Sequence, residues 1–193
     1  MAVPQHNKDN AVSLVMFIRD VLGLTKNMKE TEKVLREKKI NVNGKIVIQP
    51  NYPLMFGDSL SIPSLKKYFR VSLSGKRFAL VEISEKESES KVYRLIGKKM
   101  ISQKKIQLNF DNGKNIISNE KIKTGDFALI NSSNKLIKIM PMEKGIEIMI
   151  VKGKHIGKEG KITDIGKEGE NIIANIKTKT EEIKVNIDGV YAK

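Results

Sequence analysis

The sequence predicts an α+β chain made of several small domains. Helical spacing of apolar residues is confined to the first 39 positions, and short strand-like stretches separated by turn pairs follow. The 193 residues, 39% of them hydrophobic, suffice for two or three small domains with cores of their own. These changes of pattern divide the chain into residues 1–65, 66–144 and 145–193.

Two helices are predicted in the first segment. The first has apolar residues at helical spacing that stop before Gly23: Leu14, Val15, Ile18, Val21 and Leu22. The second runs from about Met28 to Lys38, with Asn27 as its N-cap. Its inward face is predicted to hold Met28, Thr31, Val34 and Leu35.

Strands are predicted from residue 40 onwards. Asn43-Gly44 between two β-branched runs indicates a two-residue hairpin, because both turn positions tolerate positive φ. Residues 84–90 are read as a loop or a single helical turn. The other predicted strands are Ser59–Ile62, Phe69–Leu73, Phe78–Ile83, Val92–Ile96, Ile106–Phe110, Phe127–Ile130, Leu136–Met140, Ile146–Val151, Lys161–Ile165, Asn171–Ile176 and Glu182–Ile187. Strands this short and closely spaced favour small barrels or sandwiches.

The charge of the chain indicates a polyanionic partner. Thirty-six Lys and Arg against 22 Asp and Glu give a formal net charge of +14 and a pI near 9.8. Residues 66–144 carry 18 basic and 8 acidic side chains, net +10. Nucleic acid is the first partner class that such a surface attracts, and an anionic membrane is the second.

Composition excludes several other classes. Without cysteine the chain forms no disulfide, thiolate metal site or Cys nucleophile, and only two histidines, His6 and His155, argue against a His-based metal site. The longest apolar runs fall far short of a membrane span, and the first ten residues lack the features of a signal peptide. We therefore expect a cytoplasmic protein without cofactor, metal, small-molecule substrate or membrane partner.

The second helix carries the first candidate nucleic-acid surface. Lys26, Lys29, Lys33 and Arg36 step by three or four residues and so fall within about 80° of the helix circumference. The patch is predicted to extend to flanking residues of the first helix and the hairpin: Arg19, Lys38, Lys39, Asn43 and Lys45. The plainer interpretation is a solvated charged face. The combination of helix, basic helix and V-N-G-K hairpin favours nucleic acid.

This unit, over roughly Ala11–Ile62, resembles the S-four RNA-binding module, in which two helices pack on a small sheet. The matching stretches are "LVMFIRDVL", "TEKVLREKKINVNGK" and "GDSLSI". The resemblance implies that basic side chains of the helix and hairpin meet structured RNA.

A second candidate lies in "IMIVKGKHIGKEGKITDI", residues 148–165. A phosphate loop needs four residues between its glycines and a hydroxyl after its lysine, whereas Gly153 and Gly157 are one residue too close and Glu159 takes the hydroxyl's place. A synthetase signature fails as well, because His155-Ile156-Gly157 lacks the histidine that should follow and no repeating βαβ pattern accompanies it. Strand, glycine-rich loop and strand remain.

That pattern resembles a KOW motif, the first hairpin of an SH3-like barrel. The resemblance implies RNA binding by the loop, with these candidate residues: Lys152, Lys154, His155, Lys158 and Lys161. An ordinary barrel hairpin whose lysines only confer solubility is the alternative. Acidic residues are scattered and the two histidines lie far apart, so no catalytic arrangement is recognised.

The order of these parts is similar to the small-subunit ribosomal protein S-four-e family of archaea and eukaryotes. The middle stretches "KYFRVSLSGKRFALVEIS", "YRLIGKKMI", "IQLNFDNGKNI" and "KTGDFALI" resemble that family's central domain. The resemblance implies a structural rRNA-binding protein of the small subunit, with neighbouring ribosomal proteins as partners and no catalysis, and an archaeal source suits it. Members normally carry a basic, Trp-containing N-terminal extension, and contacts made by it are not expected from these residues.

Two other functions stay open at this level. One is a free RNA-binding regulator of transcription or translation with a KOW motif, which would act away from the ribosome. The other is an enzyme with an RNA-binding appendage, which would need an acidic or histidine cluster that the sequence does not show.

Overall fold

The computed structural model describes residues 11–102, 105–168, 171–178 and 181–192. It is mostly β-strand with few helices, in agreement with the β-rich character predicted beyond residue 40. The chain forms two compact units. Unit 1 comprises Met1–Lys91 with Asn131–Ser133, and unit 2 comprises Val92–Ile130 with Asn134–Lys193.

Unit 1 combines short helices with antiparallel strands. Helix α1 (Leu14–Met16) continues into a π-helical turn (Phe17–Val21), and α2 (Met28–Arg36) and the one-turn α3 (Glu85–Ser88) follow. The strands are β1 (Ala11–Ser13), β2 (Asn41–Val42), β3 (Lys45–Ile46), β4 (Pro53–Met55), β5 (Ser59–Ile62), β6 (Lys67–Ser74) and β7 (Arg77–Glu82). One sheet has the order β3-β2-β5-β6-β7, and β1 pairs with β4. This sheet and its core continue past residue 65.

The first helix differs from its prediction because its second half is a π turn. The Leu22 N–H donates to the Phe17 carbonyl, five residues back, instead of to the carbonyl four residues back. The wider turn shifts the buried face, so that Phe17 is buried whereas Val21 is 50% exposed. Val21, one of the apolar residues at helical spacing, therefore does not join the buried face.

The second helix and the hairpin follow the prediction closely. The Asn27 side chain accepts from the Glu30 N–H at 2.9 Å, which confirms it as the N-cap. Thr31 and Leu35 are fully buried, but Met28 at the first turn is exposed. β2 and β3 pair around Asn43-Gly44, whose φ values of 50° and 76° are those of the predicted two-residue turn.

Unit 2 contains two five-stranded antiparallel sheets. The first has the order β10-β9-β8-β11-β12, from β8 (Ser90–Ser102), β9 (Lys105–Phe110), β10 (Asn115–Ser118), β11 (Phe127–Asn131) and β12 (Leu136–Met140). The second has the order β16-β15-β14-β13-β17, from β13 (Glu147–Ile150), β14 (Glu159–Glu168), β15 (Asn171–Thr178), β16 (Glu182–Asn186) and β17 (Val190–Ala192). All strands predicted here are confirmed, while β10 and β17 were missed.

The two sheets of unit 2 are joined by specific contacts. The rings of Phe127 and Tyr191 lie 5.7 Å apart between centroids, and Phe127 is fully buried. Arg94 Nη1 donates to the Ile187 carbonyl at 2.9 Å, and the Met142 N–H donates to Asp126 Oδ1 at 3.0 Å. Each sheet nevertheless keeps a hydrophobic cluster of its own.

Candidate nucleic-acid interface

Helix α2 presents its basic residues to solvent because its opposite face is fixed by packing. Leu35 is buried in the core of unit 1, and the hydroxyls of Thr25 and Thr31 hydrogen-bond at 2.7 Å in a buried position. The Lys26 N–H donates to Glu30 Oε2 at 2.7 Å, so that Glu30 closes the N-terminal turn from both sides. The helix can therefore not rotate its basic side inward.

The exposed side of this helix forms the α2 basic face, defined as Lys29, Lys33 and Arg36; Lys26 precedes the N-cap and so lies outside the helical row in which the sequence placed it. The three side chains are exposed, as is Lys26 beside them. Arg36 is 78% exposed and lies 4.0 Å from Glu32, a distance at which an ion pair contributes little. Within the described residues, Lys29 and Lys33 have no acidic side chain within ion-pair distance. The predicted surface thus exists with most of its charge uncompensated.

Residues that flank the α2 basic face are partly neutralised. Arg19 forms two hydrogen bonds with Asp20, at 2.6 and 2.9 Å, and these lower the pKa of the Asp20 carboxyl below its ordinary value. Lys39 lies 2.7 Å from Glu37 and lowers the pKa of that carboxyl in the same way. Lys38 is exposed with φ of 56°, at the end of the helix. Arg19 and Lys39 therefore offer less net charge than the sequence suggests.

The two candidate RNA-binding residues at the hairpin tip, Asn43 and Lys45, differ in role. Lys45 is exposed, whereas the Asn43 amide donates from Nδ2 to Asp58 Oδ1 at 2.7 Å and accepts at Oδ1 from the Ser59 N–H at 3.0 Å. A Cβ on Gly44 would lie 2.8 Å from Ser132 Oγ, so the turn at residues 131–133 approaches this tip closely. The polar atoms of the Asn43 side chain thus serve the fold.

Asp58 is the centre of a buried polar network beneath this hairpin. Its carboxylate accepts from Lys91 Nζ at 2.5 Å and from the Met55 N–H at 2.6 Å, in addition to Asn43. The side chains of Lys91 and Asp58 are only 9% and 6% exposed. Lys91 is one of the 18 basic residues of the middle segment, and it acts within the fold.

Two arginines of the middle segment are likewise engaged internally. Arg70 Nη2 donates to the carbonyls of Glu87 and Ser90 at 2.6 and 2.9 Å, and burial lowers the pKa of its guanidinium. Arg94 contacts Ile187 and lies 3.1 Å from an Asp188 carboxylate oxygen. The net charge of +10 in this segment therefore overstates the cations available to a partner.

Aromatic side chains add little to a nucleic-acid surface. Tyr93 is 4% exposed and packs against Phe110, with ring centroids 6.0 Å apart, and Phe69 packs on the core of unit 1. The Tyr68 hydroxyl donates to Glu85 at 2.7 Å. All three rings are thus engaged within the fold, so base stacking on them is not a major contribution.

In unit 2 the glycine loop, residues 151–158, connects β13 with β14. Gly153 and Gly157 have φ of 89° and 83°, a region that side-chain-bearing residues rarely adopt. The Gly157 N–H donates to the Ile150 carbonyl at 2.8 Å, and the Val151 N–H donates to the Gly189 carbonyl at 2.8 Å. Strand, glycine-rich loop and strand are therefore observed in the predicted order, and no helix follows the loop.

The cations of the glycine loop and its neighbouring strand differ in availability. Lys152 and Lys154 are exposed, and among the described residues neither lies within ion-pair distance of a carboxylate, although Lys154 attracts the Glu181 carboxyl at longer range. Lys158 forms an ion pair with Glu181, which holds the pKa of that carboxyl below its ordinary value, and Lys161 lies 3.3 Å from Glu147. His155 is half-buried. Lys152 and Lys154 are thus the free charges of this region.

The pairing of β14 with β15 depends on the absence of a side chain at residue 160. A Cβ on Gly160 would lie 2.6 Å from both the Lys177 carbonyl oxygen and Ile176 Cγ2. We expect Gly160→Ala to lower the free energy of unfolding by about 1–3 kcal/mol, because a backbone carbonyl cannot move aside. Urea denaturation followed by circular dichroism measures it. Gly166→Ala on the same strand is the control, since nothing lies within 4 Å of its Cβ position, and equal losses would contradict the steric explanation.

Sequence reasoning missed one part of this region. A cleft of about 410 Å³ lies beside the glycine loop, and its other wall comes from the end of β16 and the turn that follows it. The residues contributed by that wall are Lys184, Val185, Asn186 and Gly189. These residues lie about 30 positions after the loop, and nothing in the alternating pattern of β16 marks them as its neighbours.

The described residues contain no group of three or more His, Cys, Asp or Glu side chains arranged to hold a metal ion. Their helices are also all too short and too polar to cross a lipid bilayer.

Comparison with known proteins identifies the family. The family model described as "Ribosomal family S4e" matches residues 65–137. The small ribosomal subunit protein eS4 of Methanosphaera stadtmanae is 38% identical over 162 residues, which cover 83% of this chain and 67% of that protein. The eS4 protein of Methanospirillum hungatei is 34% identical over 164 residues, covering 82% and 68% respectively.

A solved structure supports the same relationship. The crystal structure of the 30S ribosomal protein S4e from Thermoplasma acidophilum superposes with a TM-score of 0.78 at 26% sequence identity, covering 96% of this chain and 95% of that one. The matched stretch of the family model includes most of the middle segment on which the sequence resemblance rests. The chain belongs to the S4e family of ribosomal proteins.

Proposed function

We propose that this protein is a structural rRNA-binding component of the small ribosomal subunit. The observation that carries the proposal is the α2 basic face, where Lys29 and Lys33 are exposed and form no ion pair among the described residues. The relatives named small ribosomal subunit protein eS4 supply the RNA class. A surface of this kind can bind RNA phosphates by charge alone, without a catalytic step.

Binding is proposed to arise mainly from charge and to be positioned by shape. Each lysine or arginine that meets a phosphate releases condensed counterions, which makes affinity fall steeply with salt. An A-form helix hides its major-groove edges, so the protein would select RNA shape through backbone and 2′-hydroxyl contacts. The α2 basic face and the glycine loop lie in different units and would supply two separate contacts.

We propose that the chain contains three functional modules. Residues 1–65 would form the S-four-like RNA-binding module, 66–144 a basic central domain, and 145–193 an SH3-like KOW barrel. Support comes from α1 and α2 beside an antiparallel sheet in unit 1, whose strands β6 and β7 continue past residue 65, and from the loop between β13 and β14 in unit 2.

The protein is further proposed to act without catalysis or cofactor, in the cytoplasm, on the ribosome and beside neighbouring ribosomal proteins. This follows from the structural role that the family name implies. A free regulator of transcription or translation would use the same RNA-binding surfaces, but it would not need the subunit.

The direct test is binding of the full chain to small-subunit rRNA across a salt series, with an unrelated structured RNA of equal length alongside. We expect tighter binding to the rRNA and a steep decline of affinity with salt, because several phosphates are contacted. Equal, weak binding to the two RNAs would overturn the proposal and indicate a general polyanion binder.

A further inference from the structure

The cleft beside the glycine loop has two walls that the fold holds together. One wall is Lys152, Gly153, Lys154 and His155, and the other is Lys184, Val185, Asn186 and Gly189. The Val151 N–H donates to the Gly189 carbonyl at 2.8 Å, which ties the loop to the turn. A Cβ on Gly189 would lie 3.3 Å from both Cβ and the carbonyl oxygen of Lys152. The walls therefore meet without a side chain between them.

The second wall is held in place by strand pairing and by a capped turn. β16 pairs with β15, with Val185 opposite Ala174 and Lys184 opposite Asn175. At its end, Asn186 Oδ1 accepts from the Asp188 N–H at 3.1 Å and caps the turn that leads to Gly189. The cleft is thus preformed, which reduces the ordering that a ligand must bring about.

The charges around the cleft are positive. Its lining contains three lysines and one histidine and no carboxylate. Lys184 lies 3.1 Å from Glu168, but both side chains are more than half exposed, so that solvent weakens this pair. The nearby Asp188 carboxylate is engaged with Arg94. Lys152 and Lys154 form no ion pair among the described residues, and the Glu181 carboxylate that attracts Lys154 at longer range is itself paired with Lys158.

We propose that this cleft holds one phosphodiester and the attached nucleotide of a single-stranded or looped segment of RNA, with Lys184 as a contact. Its volume of about 410 Å³ falls within the range of about 300–1,000 Å³ typical of small-ligand sites. A concave site of this size suits a projecting nucleotide better than the side of a duplex. Unstacked nucleotides in loops are also what proteins usually recognise in RNA.

The cleft proposal rests on the proposed function, and it adds the residues of the second wall to the RNA contacts proposed for the glycine loop. Lys184 comes from β16, outside the glycine loop, and would face Lys152 and Lys154 across the bound phosphate. His155 is the one ring in the lining. Base stacking would therefore be limited to its imidazole, and the lysines would supply most of the affinity.

The test measures binding of small-subunit rRNA by the full chain at several salt concentrations. We expect Lys184→Ser to reduce the slope of log affinity against log salt by about 0.7, the value for one single-strand phosphate. Glu168→Gln should strengthen binding slightly, because the exposed pair with Lys184 is weak, and Lys184→Ser should cancel that gain in the double variant. Lys167→Ser is the matched control, because strand alternation places its side chain on the face opposite to Glu168.

A second measurement locates the ligand. We expect decauridylate added to the ¹⁵N-labelled chain to shift the amide resonances of Lys154, Asn186 and Gly189, and an RNA duplex of ten base pairs to leave them in place. Unchanged amides there, or a Lys184→Ser slope equal to that of the wild type, would overturn the cleft assignment. Shifts of the same amide resonances that are equally large when a phosphopeptide is added would also overturn it. If the wild type fails to prefer the rRNA at all, the proposed function itself fails.

Discussion

Replacing Lys29, Lys33 and Arg36 together by alanine is expected to weaken binding to small-subunit rRNA and to make it less sensitive to salt. Each phosphate contact contributes about 0.7–0.9 to the log–log slope, so the slope should become shallower by about 2 to 3. The three side chains are exposed on α2 while Thr31 and Leu35 hold the opposite face. The fold should therefore survive the substitution.

The matched control for this variant is Lys76/Arg77/Lys86→Ala. It removes the same charge from exposed positions of the same unit, at the β6–β7 turn and in α3. We expect a smaller change of slope, because these residues do not form a row on one helix face. Equal effects of the two triple variants would contradict a specific contact at α2 and leave only a general electrostatic attraction.

Asp58→Ala is expected to cause a large loss of stability in unit 1. It would leave the Lys91 ammonium buried without its carboxylate and would remove the acceptor of Asn43 Nδ2. Removing one partner of a buried ion pair costs about 3–5 kcal/mol in free energy of unfolding. Urea denaturation of the variant and the wild type, followed by circular dichroism, measures the difference.

Two further variants separate the buried pair from other effects. Asp20→Ala removes a carboxylate from the exposed pair with Arg19 and should change stability little. The double variant Asp58→Leu/Lys91→Met should recover part of the loss, because apolar side chains of similar size fill the site without leaving a charge. An Asp58→Ala protein as stable as the wild type would contradict the role assigned to this network.

Local signals in the sequence predicted much of the fold. Asn27 followed by Glu30 determines where α2 begins, and Asn43-Gly44 determines the hairpin, because each acts through neighbouring backbone groups. Strands with a period of two were found for the same reason. The π turn in the first helix was not predicted. Apolar residues at helical spacing are compatible with backbone N–H groups that donate either four or five residues back, so the spacing does not distinguish the two.

Long-range pairing accounts for what the sequence did not predict. Lys91 counted as one more surface cation until Asp58, 33 positions earlier, proved to be its buried partner. As a result, the number of cations that residues 66–144 offer to a partner was overestimated. Lys184 was missed for the opposite reason, because only the folding of unit 2 brings the end of β16 beside the glycine loop. Neither relationship has a signature within one strand or turn.

The most direct test of the central proposal is where the chain sediments in a cell extract on a sucrose gradient. A structural protein of the small subunit should sediment with small subunits at low salt and be released as the salt concentration rises, because its contacts are mainly ionic. The triple variant at Lys29, Lys33 and Arg36 should be released at a lower salt concentration. Wild-type chain found throughout in the light fractions, bound to free RNA, would contradict the ribosomal role and favour a regulator.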